Sequence, residues 1–185
     1  NNPSNKITHL VRSLPKAKLI ILTAHRRENF SRLHAEYFSA MRCYIEQHEN
    51  THIIFPQHWN PRLIAPTKKF LAGHERIHII DPIGYRDFIY LLQKAWLVVS
   101  ESGGIQEEVA TLKKPLLIIR ECTERPEAIE CGIATLTPNG AALTKALNAV
   151  SCGDDWENRI KNIVNPFGDG SAALRIADAI QHLVI

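Results

Sequence analysis

Leu19-Ile20-Ile21-Leu22 is apolar at every successive position, so an extended chain here has no polar face to offer water. Such a segment needs cover on both sides, as a strand has inside a parallel sheet with helices above and below. Related runs recur at 51–55, 77–80, 95–99 and 115–119, with a weaker one near 133–136. Helical periodicity fills the gaps. After a Ser31 cap, Leu33, Tyr37, Phe38, Met41, Tyr44 and Ile45 fall on one face, and Phe88, Leu91 and Leu92 mark a helix over 85–94. A short helix is expected over about 62–72, another that follows the Ser102-Gly103-Gly104 turn and continues through 109–112, and a third after Pro126. Three amphipathic stretches close the chain, the last carrying Ala173, Ile176, Ala177, Ile180 and Val184 on one face. Strict alternation of strand and helix with short loops predicts an α/β fold, a Rossmann-like doubly wound parallel sheet with right-handed crossovers. The chain's 185 residues suit one such domain over 17–185, preceded at 1–16 by a linker or the end of an incoming helix.

Charge and cysteine usage narrow the class. Against 19 acidic residues stand 22 basic ones, net +3, and the only paired lysines are Lys68-Lys69 and Lys113-Lys114. This is too mild and too dispersed for a nucleic-acid partner. No apolar run approaches membrane-span length and no signal-peptide pattern is present, so no membrane partner is expected. Cys43, Cys122, Cys131 and Cys152 have no C-x-x-C spacing, which points to a reduced, cytoplasmic setting. The first residue is Asn1 rather than methionine, as expected of a fragment or a processed product.

Polar residues collect where the strands end. His25-Arg26-Arg27-Glu28, His58-Trp59-Asn60, Ser102-Gly103-Gly104 and Thr123-Glu124-Arg125 all follow predicted strands. In a parallel sheet those ends share one edge, where ligands bind. At Ser102-Gly103-Gly104 a strand turns into a helix, and glycines let an anion approach the backbone at a helix N-terminus. Glu107 and Glu108, read as first-turn residues, can favour the helix or accept from ribose hydroxyls. A serine-capped turn is the alternative reading of the same residues. Imidazoles, guanidinium groups, a glycine nest and carboxylates on one edge suit a phosphorylated, hydroxyl-rich ligand such as a nucleotide sugar. Each residue also has a plainer role: His25 anchoring a loop, His58 in a structural turn, Phe88 in the core, Arg125 beside Pro126 at a helix start. His74 and His78 lack helical i,i+4 geometry, because Gly73 and the strand at Ile77 intervene, so no metal is expected.

Five segments together resemble the C-terminal half of the non-hydrolysing UDP-N-acetylglucosamine 2-epimerases. They are His25 to Asn29, His58 to Pro61, Ser102 to Glu108, Thr123 to Glu127, and Asn165 to Gly170, in family order over nearly the whole chain. The resemblance implies one half of a GT-B-type two-domain architecture, with UDP or UDP-GlcNAc held between the domains. UDP is eliminated from the sugar and re-added with inversion at C2, without metal or redox cofactor. It further implies that Ser102, Gly103 and Gly104 hold phosphate, Glu108 the ribose, and Phe88 lines the uracil pocket. Arg125 becomes a substrate-binding residue, Arg26 and His58 lie near the diphosphate, and His25 is the catalytic histidine. A homodimer is the family tendency.

The chain departs from the family at Glu101 and Glu121, where aspartate is usual, and at Ile83, where a polar residue near uracil is expected. The family's N-terminal domain, with the carboxylates assigned to proton transfer at C2, has no counterpart in 1–16. Acid–base chemistry needs groups on both faces of the sugar, so this half alone is expected to be inactive. The same features leave open a non-catalytic UDP-sugar-binding module, a hydrolysing epimerase, or half of a GT-B glycosyltransferase.

Overall fold

The computed structural model describes residues 3–14, 17–26, 32–153 and 155–183. Ser31, Arg27, Glu28, Asn29 and Val184, on which parts of the sequence reading fall, lie outside them. The elements run α1 (Asn5–Arg12), β1 (Lys18–Thr23), α2 (Arg32–Gln47), β2 (Thr51–Pro56), α3 (Pro61–Phe70), β3 (Ile77–Ile80) and α4 (Tyr85–Lys94). There follow β4 (Leu97–Ser100), α5 (Gly103–Leu112), β5 (Leu116–Ile118), α6 (Pro126–Glu130), β6 (Ala134–Leu136), α7 (Gly140–Ser151), α8 (Trp156–Ile160) and α9 (Ala172–Leu183). All six strands are parallel, in the order β3-β2-β1-β4-β5-β6. The expected α/β class and doubly wound sheet are therefore present.

That order has its switch point between β1 and β4. The chain winds outward from β1 to β3, crosses back, and winds the other way from β4 to β6. Right-handed crossovers in opposite directions place the two sets of helices on opposite faces. This is why Leu19 through Leu22, all of β4 and all of β5 are buried at successive positions. On one face α2 contributes Tyr37, Phe38, Met41, Tyr44 and Ile45, with Phe38 packed against Phe55 of β2 at 5.7 Å between ring centroids. Helix α7 lies on α2 so closely that a Cβ on Gly140 would stand 2.9 Å from Glu36 Cβ and 3.0 Å from its carbonyl oxygen. Only glycine fits that crossing.

At the N-terminal end, Ile7 of α1 is buried, and Ser4 donates through its backbone N–H and its hydroxyl to Asp87, each at 2.7 Å. The residues 1–16 thus contain a short helix docked on α4. At the other end, α9 buries none of its residues, and Leu174, Ile176, Ile180 and Leu183 are exposed. No helix among the described residues is long and apolar enough to cross a membrane.

Candidate functional site

The carboxyl ends of β1 and β4 meet at the switch point. Thr23 and Ser100, partners in register, bring their hydroxyls to 2.7 Å, and Ser102 N–H donates to the Ser100 hydroxyl at 3.0 Å. Next in the chain is Glu101, whose side chain is 0% exposed. One carboxylate oxygen accepts from the backbone N–H groups of both His25 and Arg26, and the other from His34 Nε2 at 3.1 Å. An ionised carboxylate can only accept, so this contact fixes the ring proton on Nε2. Burial pushes the Glu101 pKa up, but the hydrogen bond from His34 and those from the two backbone N–H groups outweigh it and hold it below the usual value. One carboxylate therefore ties the β1–α2 loop, helix α2 and the β4–α5 turn together. The sequence reading noted Glu101 only as a departure and passed over His34. The available signal was a polar residue at 34 in the stripe that Phe38, Met41 and Ile45 continue at helical spacing.

Around this knot the expected site residues assemble. His25, His58, Ile83, Phe88 and Ile105 line an open pocket of ≈ 200 Å³, with the two imidazole centroids 6.4 Å apart. The pKa of His25 is lowered, chiefly by desolvation; Arg26 and His58 add to the lowering while Glu101 opposes it. The ring is therefore neutral at pH 7. An NMR titration is expected to place the His25 midpoint below 6.5, and lower still in Glu101→Gln, where the one raising charge is gone. A midpoint above 6.5 in the native chain would contradict this account.

Ser102 occupies the N-cap position of α5, but its hydroxyl makes no capping bond, so the serine-capped turn is not what the structure contains. Helix α5 begins at Gly103, which moves Glu107 and Glu108 out of the first turn, where they were expected, and into the second. From there Glu107 pairs with Arg125 Nε at 2.6 Å. The pKa of Glu108 is raised, first by burial and then by Glu107. Arg125 is the N-cap of α6 with Pro126 following, and Thr123 fixes it by accepting from its backbone N–H at 3.1 Å. Glu124 bridges two elements, accepting from Arg26 Nη2 at 3.1 Å and from Arg120 Nη1.

The segment from Asn165 to Gly170 stands away from this edge: the Asn165 side chain donates to Thr111 Oγ1 at 3.0 Å, near the far end of α5. His78 pairs not with His74 but with His52 across β2 and β3, at 3.0 Å between ring nitrogens. Among the described residues no group of three or more potential metal ligands forms. A cavity of ≈ 530 Å³ between β6, α7 and α8 is lined mainly by apolar residues such as Leu117, Ile129 and Trp156 and holds none of the polar clusters.

Fold and site together define one half of a GT-B-type architecture, with a glycine-bearing strand-to-helix turn at the switch point of a parallel sheet. The sequence matches the UDP-N-acetylglucosamine 2-epimerase family over residues 2–181, and the chain belongs to that family. It is 36% identical over 167 residues to the UDP-N-acetylglucosamine 2-epimerase of Campylobacter jejuni, covering 88% of this chain and 43% of that one. Among solved structures it resembles the S. aureus MnaA–UDP co-structure, with TM-score 0.91 and 32% identity over 100% of this chain and 50% of the other. It also resembles the UDP-GlcNAc 2-epimerase from Neisseria meningitidis bound to UDP-GlcNAc, with TM-score 0.85, 30% identity, and coverage of 96% and 50%. The chain thus spans less than half the length of the curated relatives it matches.

Proposed function

We propose that this chain is the nucleotide-binding half of a cytoplasmic UDP-N-acetylglucosamine 2-epimerase that interconverts UDP-GlcNAc and UDP-ManNAc. In that reaction the C2 proton and the C1–O bond to UDP are lost, leaving a C1=C2 double bond in the sugar. Return of the proton to the opposite face and re-addition of UDP complete the inversion. The observation that carries the reading is the meeting of the His25 loop with the Ser102–Gly104 turn across the β1–β4 seam. Negative charge grows on the departing diphosphate, and this is where the α5 N-terminus, the free Ser102 hydroxyl, Arg26 and Arg125 converge to stabilise it. Neutral His25 stands at the pocket mouth beside His58, placed to exchange a proton or hydrogen-bond the leaving group. Phe88, Ile83 and Ile105 supply the apolar wall for the base, and Glu108 accepts from the ribose.

The groups acting on the sugar's other face belong to a second domain. Two observations support it: the relatives are about twice as long, and the apolar face of α9 has no cover among the described residues. Calorimetric titration of the chain with UDP tests the site. Saturable binding is expected, weakened roughly tenfold in Glu108→Ala by loss of a charge-assisted hydrogen bond. Equal affinity in that variant would remove Glu108 from the ribose. Failure of the longer protein, second domain included, to interconvert the two nucleotide sugars would sink the assignment.

A further inference from the structure

Gly103 was expected to be glycine so that a phosphate could approach the backbone. In the structure the space it leaves is filled from within the chain. Oε1 of Glu124 lies 2.7 Å from where a Cβ on Gly103 would project, whereas a Cβ on Gly104 would meet nothing within 4 Å. The same oxygen is 3.1 Å from Arg26 Nη2, and the other accepts from Arg120 Nη1. A carboxylate at the start of α5, held by two guanidinium groups from different loops, has the surroundings of a bound anion. Its side chain is 43% exposed, so it can swing out without opening the core.

We propose that Glu124 is a built-in anion that occupies the phosphate cradle and sets its specificity. An incoming anion must take over Arg26 and Arg120 together to displace it. A diphosphate has the charge and the span to do so, while a single phosphate competes on poor terms. Unliganded, the two arginines are paired with Glu124 at the helix terminus rather than left facing solvent. That the natural ligand is a uridine diphosphate rests on the function proposed above; the occupied cradle does not.

The test follows the amide signals of Gly103, Gly104 and Ile105 by NMR as inorganic phosphate and, separately, UDP are added to the whole chain. Glu124→Gln is expected to bind phosphate about three- to tenfold more tightly, the range set by two partly exposed ion pairs, and to gain less for UDP. The preference for UDP over phosphate then narrows. Glu124→Asp keeps the charge but draws it back by one methylene, and is also expected to strengthen phosphate binding. Glu121→Gln removes a charge three residues away and is expected to change little. The proposal is overturned if Glu124→Gln binds phosphate no better than the native chain, if Glu121→Gln gains as much, or if phosphate moves these amides in neither protein. Phosphate results as expected with no UDP binding would overturn the nucleotide reading and leave Glu124's role standing.

Discussion

Replacing Glu101 by alanine is expected to lower the unfolding free energy by about 3 kcal/mol or more, since each buried donor left without a partner costs about 1–3 kcal/mol. The substitution strands three donors at once: the backbone N–H groups of His25 and Arg26, and His34 Nε2. Each is left in or beside a dry interior, where an unmade hydrogen bond is costly. Glu101→Gln keeps the shape and one acceptor oxygen and should lose less. The two differ in their dependence on pH. Because the folded-state pKa of Glu101 lies below its ordinary value, its ionisation stabilises the fold fully above that ordinary value. The contribution disappears as pH falls through the folded pKa. Urea melts from pH 7 down to pH 3 should therefore show a shallower acid loss in Glu101→Gln than in the native chain. Parallel acid limbs would show that the carboxylate is not the titrating link between the loops.

The largest effect on ligand binding is expected at Arg125. Its guanidinium is held by Glu107, its backbone by Thr123, and its neighbour Glu124 sits over Gly103. It is thus fixed beside the cradle rather than left to find a ligand by rotation. A guanidinium–phosphate contact is among the stronger charge-assisted bonds, so Arg125→Ala should weaken UDP binding by about ten- to a hundredfold. Lysine keeps the charge but not the planar fork and should recover only part of the loss. Calorimetry on both variants checks this, with circular dichroism to confirm that α6 remains folded. Full affinity in Arg125→Ala would assign the residue to the Glu107 pair alone, as a structural clasp at the helix start.

The fold was legible because its signal is local. Continuous apolar runs declare buried parallel strands, and the expected bounds at 77–80 and 85–94 coincide with β3 and α4. The edge bearing the site was legible for the same reason, since strand direction alone decides where strand-following residues gather. What lay beyond reach was pairing between side chains distant in sequence. Glu101 and His34 are 67 residues apart, Arg26 and Glu124 are 98, and neither pair leaves a periodic trace. The start of α5 at Gly103 was likewise hidden. Ser102 invites a capping reading, and only its position on the chain crossing from β4 reveals that its hydroxyl is spare.

The β1–β4 seam also bears on how the chain reaches this structure. Every other strand pairing joins neighbours in the order of synthesis, but Ile20 meets Leu97 only after β2, β3 and their helices have been passed over. Closing that long loop is the most entropically demanding pairing in the sheet, so the two halves, β1 to β3 and β4 to β6, can organise before the seam zips. Glu101 then locks it, reaching from the second half to the first. A ligand bound across the same seam grips both halves, so it acts on the step that separates them, and its clearest kinetic mark is slower unfolding rather than faster folding.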